Sequence, residues 1–341
     1  MTFPYLNDIL HQPDALQDTL DRLATTTSLA SYARRLANNR LRQVVLTGMG
    51  SSYHALHPLH LRFVQANIHV QIIETSELIH HAQALIAPQT LLVAVSQSGR
   101  SAEIMHLLEL VKGKTNLIAV TNTPGSPLAE HAQAVVLTQA GEEASVSCKT
   151  YLTALAALSW LGDELAPAAP RHFSYLTAAP QNAARYLSGW KEYIEQLKEK
   201  LRHTRHLFLV GRGDSLAAAG TGGLIVKEAA HFTAEGMSSA SFRHGPIEML
   251  SPQVFVLAFQ GEPGVAELNG KLVQDIRAAG SQAALVQEAP TPDAFHLPVG
   301  PGPLRHLLEI LPVEMISLAL AELQGREAGR FGLGSKVTEV E

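Results

Sequence analysis

The chain has 341 residues, 46% of them hydrophobic and 17% charged, a composition that suits a folded globular protein long enough for two domains. Its net charge of −5 leaves no basic footprint for nucleic acid or an anionic membrane surface. A lone cysteine, Cys148, excludes an intrachain disulfide and suggests a reducing compartment.

The N-terminus, Met-Thr-Phe-Pro-Tyr-Leu-Asn-Asp, has no basic region ahead of an apolar core, so a secretory signal is not expected. Apolar runs are interrupted well short of a membrane span, and the expected location is the cytoplasm. Residues 6–40 carry apolar residues at helical spacing (Leu6, Ile9, Leu10, then Leu16, Leu20, Leu23), with Pro13 dividing two helical pieces. Strand-like runs follow at 43–46, 70–73, 90–95, 116–120 and 134–137, separated by helical segments. A long helix over about 149–161 closes this half. Ala166–His172, rich in Pro and Ala, reads as a connector. One long helical segment is expected over 179–202, then a second strand series at 206–210, 233–238, 254–258, 283–286 and 295–297, the last stopped by Pro298. Segments 264–279 and 304–323 read as helices, and 330–341 as an irregular Gly-rich tail. Strands alternating with helices predict an α/β fold of two three-layer αβα domains, each built on a parallel five-stranded sheet. The expected division is a helical segment at 1–40, a first domain at 41–165, a connector and helix at 166–202, a second domain at 203–326 and a tail at 327–341 lying over the active site.

The most informative stretch is Leu92–Ile104. It begins as an apolar, β-rich run, breaks at Ser96-Gln97-Ser98-Gly99 and resumes as a helix near Ser101. A buried strand passing through a hydroxyl-rich turn into a helix start offers free backbone N–H groups, a positive dipole end and hydroxyl donors to an anion. With no lysine in the turn and no Walker pattern, one phosphate on a small polar molecule fits better than a nucleotide triphosphate with its metal. The same turn also reads as a plain helix cap.

The halves form a repeat: Val45-Leu46-Thr47-Gly48-Met49-Gly50-Ser51-Ser52 echoes Leu209-Val210-Gly211-Arg212-Gly213-Asp214-Ser215. The repeat is asymmetric. Opposite Ser96-Gln97-Ser98-Gly99 the second half has Gln260-Gly261-Glu262-Pro263, which loses the hydroxyls and gains a carboxylate. One phosphate site per chain is therefore expected, in the first half, beyond the carboxyl ends of its strands.

These residues resemble the sugar isomerase (SIS) family of phosphosugar-binding proteins, and within it the double-SIS isomerase half of glucosamine-6-phosphate synthase and its stand-alone deaminase and deglycase relatives. The resemblance covers residues 40–341 and is carried by Gly50-Ser51-Ser52-Tyr53-His54, Ser96-Gln97-Ser98-Gly99, Ser147-Cys148-Lys149, Gly211-Arg212-Gly213, Lys227-Glu228, Arg243-His244-Gly245-Pro246 and Lys336-Val337-Thr338. It implies that Ser52, Ser96, Gln97, Ser98 and Ser101 hold a sugar phosphate, with Gly50, Ser51 and Ser147 helping to form the pocket. It implies Glu228 as the isomerase base, His244 as the ring-opening residue and Lys336 as a Schiff-base lysine. Because the family's histidine commonly reaches across from a partner subunit, a homodimer or larger assembly is expected.

On the residues alone each assignment has a rival. Moving a carbonyl between C1 and C2 needs one base that takes a proton from one carbon and returns it to the next, and a carboxylate on a rigid helix suits that task. Glu228 also reads as a solvated carboxylate beside Lys227. His244 could pass protons to and from a ring oxygen, or be a turn histidine with one backbone hydrogen bond. Lys336 is a solvated tail lysine unless desolvation makes it a nucleophile, and Gly332 and Gly334 would let the tail fold over a site. His54, His57 and His60 recur every third residue, but that spacing drifts round a helix, and Pro58 and the lack of a nearby carboxylate count against a metal. Cys148 is expected in the core or pocket wall.

Two departures from the synthase shape the expected reaction. No glutaminase stretch with its nucleophilic cysteine precedes the first half in this sequence, so glutamine is not expected as nitrogen source. One turn before Glu228, where the synthase carries a lysine, this chain has Ile225. The expectation is isomerisation coupled to amine release from a hexosamine- or fructosamine-6-phosphate, needing no metal or organic cofactor because the substrate carbonyl supplies the acidity. A plain phosphosugar isomerase and a non-catalytic phosphosugar sensor remain the alternatives.

Overall fold

A computed structural model of the protein describes residues 3–300, 305–333 and 335–338. The chain forms two compact units. The first holds Asp14–Glu142, Lys149–Thr177 and residues 335–338; the second holds the residues up to Pro13, Glu143–Cys148 and Ala178–Leu333.

The first unit is organised on β1 (Gln43–Gly48), β2 (Val70–Glu74), β3 (Thr90–Val95), β4 (Asn116–Thr121) and β5 (Ala134–Leu137). They lie in the order β2-β1-β3-β4-β5 with every neighbouring pair parallel. A parallel sheet covered on both faces favours strands apolar throughout, and β3 is buried at all six positions. One core face joins Val45, Leu92, Ala94 and Leu117 to Ile104, Leu107 and Leu108 of the helix Ala102–Val111.

Register matters most for function. Gly48 pairs with Glu74 on one side and Val95 on the other, so β1, β2 and β3 end level. The chain segments that leave these three strands are therefore neighbours. β1 is also the strand from which the order departs in both directions, where sheets of this kind open a crevice.

The second unit repeats the plan with β6 (His206–Gly211), β7 (Ala234–Ser238), β8 (Val254–Phe259), β9 (Gln282–Ala289) and β10 (His296–Pro298). The order β10-β9-β8-β6-β7, all parallel, matches the first sheet when counted from the first strand of each set. All ten strands expected from the apolar pattern are present, and the α/β class follows.

Two helices differ from expectation. The segment expected as one helix breaks into Ala179–Leu187 and Trp190–Leu201. Gly189 sits at the break, and a Cβ there would fall 2.4 Å from the Tyr193 ring. The C-terminal helix is interrupted at Glu309, between Arg305–Leu308 and Ile310–Leu323. Restarting there places Pro312 in a first turn, where its missing N–H costs no helical hydrogen bond. Pro13 is accommodated the same way, as the second residue of the helix Gln12–Ala24. Among the described residues no helix is long and apolar enough to cross a membrane.

Candidate functional site

In the first unit two strand-to-helix turns face each other across the level ends of β1 and β3. Gly48 closes β1 where a Cβ would press at 3.1 Å on the backbone of Ser52, Tyr53 and Val95. Gly50, at φ +51°, then turns the chain into the short helix Gly50–His54. After β3 the Ser96 N–H donates to the Val120 carbonyl at 3.0 Å, and the Ser96 Oγ accepts the Gly99 N–H at 3.1 Å. The Gln97 carbonyl accepts the Thr121 and Thr123 hydroxyls at 3.2 and 3.1 Å. Gly99, at φ +62°, could carry no side chain, because a Cβ would lie 2.3 Å from the Ser126 Oγ. Ser101 caps the helix Ala102–Val111 in extended conformation, with no side-chain cap bond of its own.

These bonds fix the backbone so that Ser52, Ser96, Gln97, Ser98 and Ser101 line one cavity of about 120 Å³. Gly50 and Ser51 form the adjoining turn without lining it. Sequence reasoning did not single out Met49, Thr75, Val337 and Thr338 as pocket residues, and they also line it. Thr75 begins the helix after β2 and shares a 3.1 Å hydrogen bond with the Thr47 hydroxyl. Its place follows from β2 lying beside β1, a pairing with no local signal. Lys336 lines the cavity too, held with residues 335–338 in the first unit.

A larger cavity, about 720 Å³, opens at the other edge of this unit, among residues such as Ala33, Arg42, His69 and Ala168. It lacks the hydroxyl cradle. The guanidinium in its wall, Arg62, is engaged by Asp163 and by the Ser159 and Pro170 carbonyls. His54 and His57 stack at 6.3 Å, and burial pushes the His57 and His60 imidazoles below their usual pKa. Among the described residues no group of three or more His, Cys, Asp or Glu is placed to hold a metal ion.

Glu228, His244 and Ser147 belong to the second unit. Glu228 is half-buried in the last turn of the helix Leu216–Ala230, which ends at left-handed His231. Gly329 ties down this helix end by donating its N–H to the Ala229 carbonyl at 2.9 Å, while its own carbonyl accepts the Ser145 hydroxyl. Ser147 lies in the same segment, Glu143–Cys148, where the Cys148 N–H donates to the Glu143 carboxylate at 2.9 Å. Tyr5, fully buried against Ser317, has its pKa pushed well up, first by burial and then by Glu314, Cys148 and Glu228.

His244 is exposed after the short helix Ser239–Arg243, whose Arg243 bonds Asp275 at 2.7 Å. The helix Leu216–Ala230 runs back along β7, with Gly223 packed on Gly236. Its Gly222 packs on Leu209 of β6, whereas Phe242, two residues before His244, packs on the adjacent β6 residue Phe208, so the two elements lie on opposite faces of the sheet.

The second unit also shows why its Gly-x-Gly turn differs. Gly213, at φ +59°, is covered by the Glu262 carboxylate, whose oxygens would lie 2.7–2.8 Å from an added Cβ. The Asp214 N–H donates to Glu262 at 3.1 Å. Behind them Glu309, 1% exposed, accepts the Ser215 hydroxyl at 3.0 Å. Burial pushes the Glu309 carboxyl up to about 8 and the Asp214 carboxyl up to about 6. Carboxylates occupy the ground that is left open between hydroxyls in the first unit.

The SIS domain family model matches residues 37–162 and 200–285, and the chain belongs to this family. A curated relative, glutamine--fructose-6-phosphate aminotransferase [isomerizing] of Symbiobacterium thermophilum, is 31% identical over 348 residues, covering 95% of this chain and 57% of the relative. The chain thus spans little more than half the length of that protein. The C-terminal domain of glucosamine-fructose-6-phosphate aminotransferase from Francisella tularensis superposes with a TM-score of 0.83 at 20% identity, covering 97% of this chain and 98% of that one. Glucosamine-6-phosphate deaminase from Thermotoga maritima gives 0.76 at 17% identity, covering 99% and 100%. At such identities these two likenesses establish the shared fold.

Proposed function

We propose that this chain is a phosphosugar enzyme that isomerises a hexosamine- or fructosamine-6-phosphate and releases the amine. The observation that carries the reading is the cavity of Ser52, Ser96, Ser98 and Ser101 at the switch point of the first sheet, set against a second cradle filled by carboxylates. Hydroxyls and helix N–H groups favour a phosphate, whereas in the second unit the Glu262 carboxylate fills the matching ground over Gly213 and disfavours one. One sugar phosphate per chain is the consequence. The curated relative's name gives fructose-6-phosphate and a structural neighbour's gives glucosamine-6-phosphate, which supports a hexose-6-phosphate substrate class.

In this mechanism His244 moves a proton between the ring oxygen and O1 to open the sugar. Glu228 then removes the proton from the carbon next to the carbonyl or iminium group and returns it to the neighbouring carbon. The double bond to nitrogen that results adds water, the C–N bond breaks, and the amine leaves with a proton. The substrate's own carbonyl supplies the acidity. Because the elements that carry Glu228 and His244 pack on opposite faces of the second sheet, a sugar that uses both draws them from two copies of the chain.

The test is hydrogen exchange at C1 or C2 in deuterated water, followed by NMR on 6-phosphorylated glucosamine, fructosamine and fructose. Wild type should exchange at least one of them. Glu228→Gln keeps the shape but removes the base, so exchange should slow by about two to four orders of magnitude with little change in affinity. A plain isomerase exchanges the ketose and releases no amine from any substrate. Binding without exchange of any bound sugar would make the chain a sensor and overturn the enzyme reading.

A further inference from the structure

Resting on the reading of Glu228 as the base, we propose that Tyr5 is a positioning residue for it. The Tyr5 ring wedges the loop 326–330 against the end of the helix that carries Glu228. Glu228 stands two residues before the last residue of Leu216–Ala230, where the final carbonyls have no partner within the helix. A distant part of the chain supplies one. Gly329 donates its N–H to the Ala229 carbonyl at 2.9 Å. His231, left-handed at φ +50°, grips the same loop on both sides of Gly329. Arginine has no acceptor, so the His231 Nδ1 accepts the Arg326 N–H at 2.9 Å, which leaves the Nε2–H to donate to the Arg330 carbonyl at 3.2 Å.

Tyr5 decides where that loop can lie. Gly329 sits at φ +77°, and a Cβ on it would fall 2.5 Å from the Tyr5 Cβ and 2.9 Å from its Cγ, so loop backbone and ring are in direct contact. The same Cβ would fall 2.4 Å from the Ser145 Oγ, whose hydroxyl donates to the Gly329 carbonyl. Tyr5 cannot easily yield. It is 0% exposed on the helix Pro4–Leu10, and its hydroxyl shares a 3.1 Å hydrogen bond with Ser317 of the helix Ile310–Leu323. Further along, Asp8 accepts the Ala144 N–H at 3.0 Å and Gln12 donates to Glu314 at 2.6 Å, which anchors this end of the chain in the same unit. Burial, then Glu314, Cys148 and Glu228, push the Tyr5 pKa up, so wedge and base share one neighbourhood. In a close-packed interior a lost ring lets the loop and the helix end shift. Proton transfer between adjacent carbons tolerates little of that, since misplacing the base by about 1 Å costs about a hundredfold in rate.

The experiment follows C1 or C2 hydrogen exchange by the full chain on the 6-phosphosugar that wild type exchanges. Circular dichroism gives the folded fraction of each variant at the assay temperature. Tyr5→Leu removes the ring, so kcat per folded chain should fall by about tenfold to a hundredfold while KM and 6-phosphosugar affinity stay at the wild-type value. Tyr5→Phe keeps the ring on Gly329 and should restore most of that loss. Should Tyr5→Leu not fold, Ser145→Ala releases the Gly329 carbonyl instead and should show the same split at about threefold to tenfold. Wild-type kcat per folded chain in the folded variants would overturn the positioning role, because a residue that serves stability alone lowers only the folded fraction. Tyr5→Phe as slow as Tyr5→Leu would overturn the ring's part in it. Glu228→Gln in the same assay keeps the two readings apart. If it loses exchange while Tyr5→Leu and Ser145→Ala do not, the base stands and the positioning role falls. If Glu228→Gln exchanges like wild type, the reading of the base fails and the positioning role falls with it.

Discussion

Glu309 is a carboxyl held where a charge is costly. It is fully buried, its Oε1 accepts the Ser215 hydroxyl, and its Oε2 has no partner among the described residues. Burial raises its pKa to about 8, far above its ordinary value of 4.5, so the folded state holds a proton that the unfolded chain releases. Stability from this group is fully present below about pH 4.5 and is lost as pH rises through about 8. At about 1.36 kcal/mol per unit, the loss amounts to several kcal/mol. Urea unfolding midpoints should fall between pH 6 and 9 in wild type, while Glu309→Gln should flatten that decline. An equally steep decline in the variant would assign the effect to other groups.

At the scale of elements the sharpest constraint is the contact between the helix Leu216–Ala230 and β7. A Cβ on Gly223 would lie 2.6 Å from the Gly236 N, and one on Gly236 would lie 2.0 Å from the Ala219 carbonyl oxygen. Two glycines let helix and strand approach backbone to backbone, and that approach sets the height of Glu228 along the sheet. Gly223→Ala brings two opposed effects. Higher helix propensity contributes about 0.5–1 kcal/mol, but separating helix from strand costs about 1–3 kcal/mol. The net expectation is a less stable protein with weakened exchange catalysis and unaltered phosphate affinity, because the phosphate turn belongs to the other unit. A Gly223→Ala variant as stable as wild type would show that the approach is not tight.

Much at this scale was legible locally. Parallel strands buried on both faces give short unbroken apolar runs, so all ten strands could be read directly. The Ser96–Ser101 turn was legible because its hydroxyls interrupt such a run just ahead of a helical one. The break at Ser188-Gly189 was not, since apolar periodicity continues across it through Leu187, Tyr193, Ile194 and Leu197. A glycine within a periodic pattern costs only about 1 kcal/mol, so pattern alone does not show which glycine ends a helix.

For the whole molecule, the placement of Glu228 and His244 predicts an incomplete single chain. Glu228→Gln and His244→Ala chains should each be inactive, and mixing them under subunit exchange should restore part of the activity. Some mixed assemblies then contain one site with an intact base and an intact histidine. No recovery despite demonstrated exchange would mean that the two residues do not share a site across copies.

By itself the sequence determined the two series of β-α units, the hydroxyl-rich turn and its acidic counterpart, because each is written in neighbouring residues whose period or chemistry is local. Tertiary structure alone decided that Thr75 and Lys336 join Ser96–Ser101 around one cavity, and that the elements carrying Glu228 and His244 pack on opposite faces of one sheet. Those placements come from strand order, from the level register of Gly48, Glu74 and Val95, and from where the tail fastens on Ala102. Such choices are made by burial summed over the whole sheet, and no short stretch of side chains encodes them.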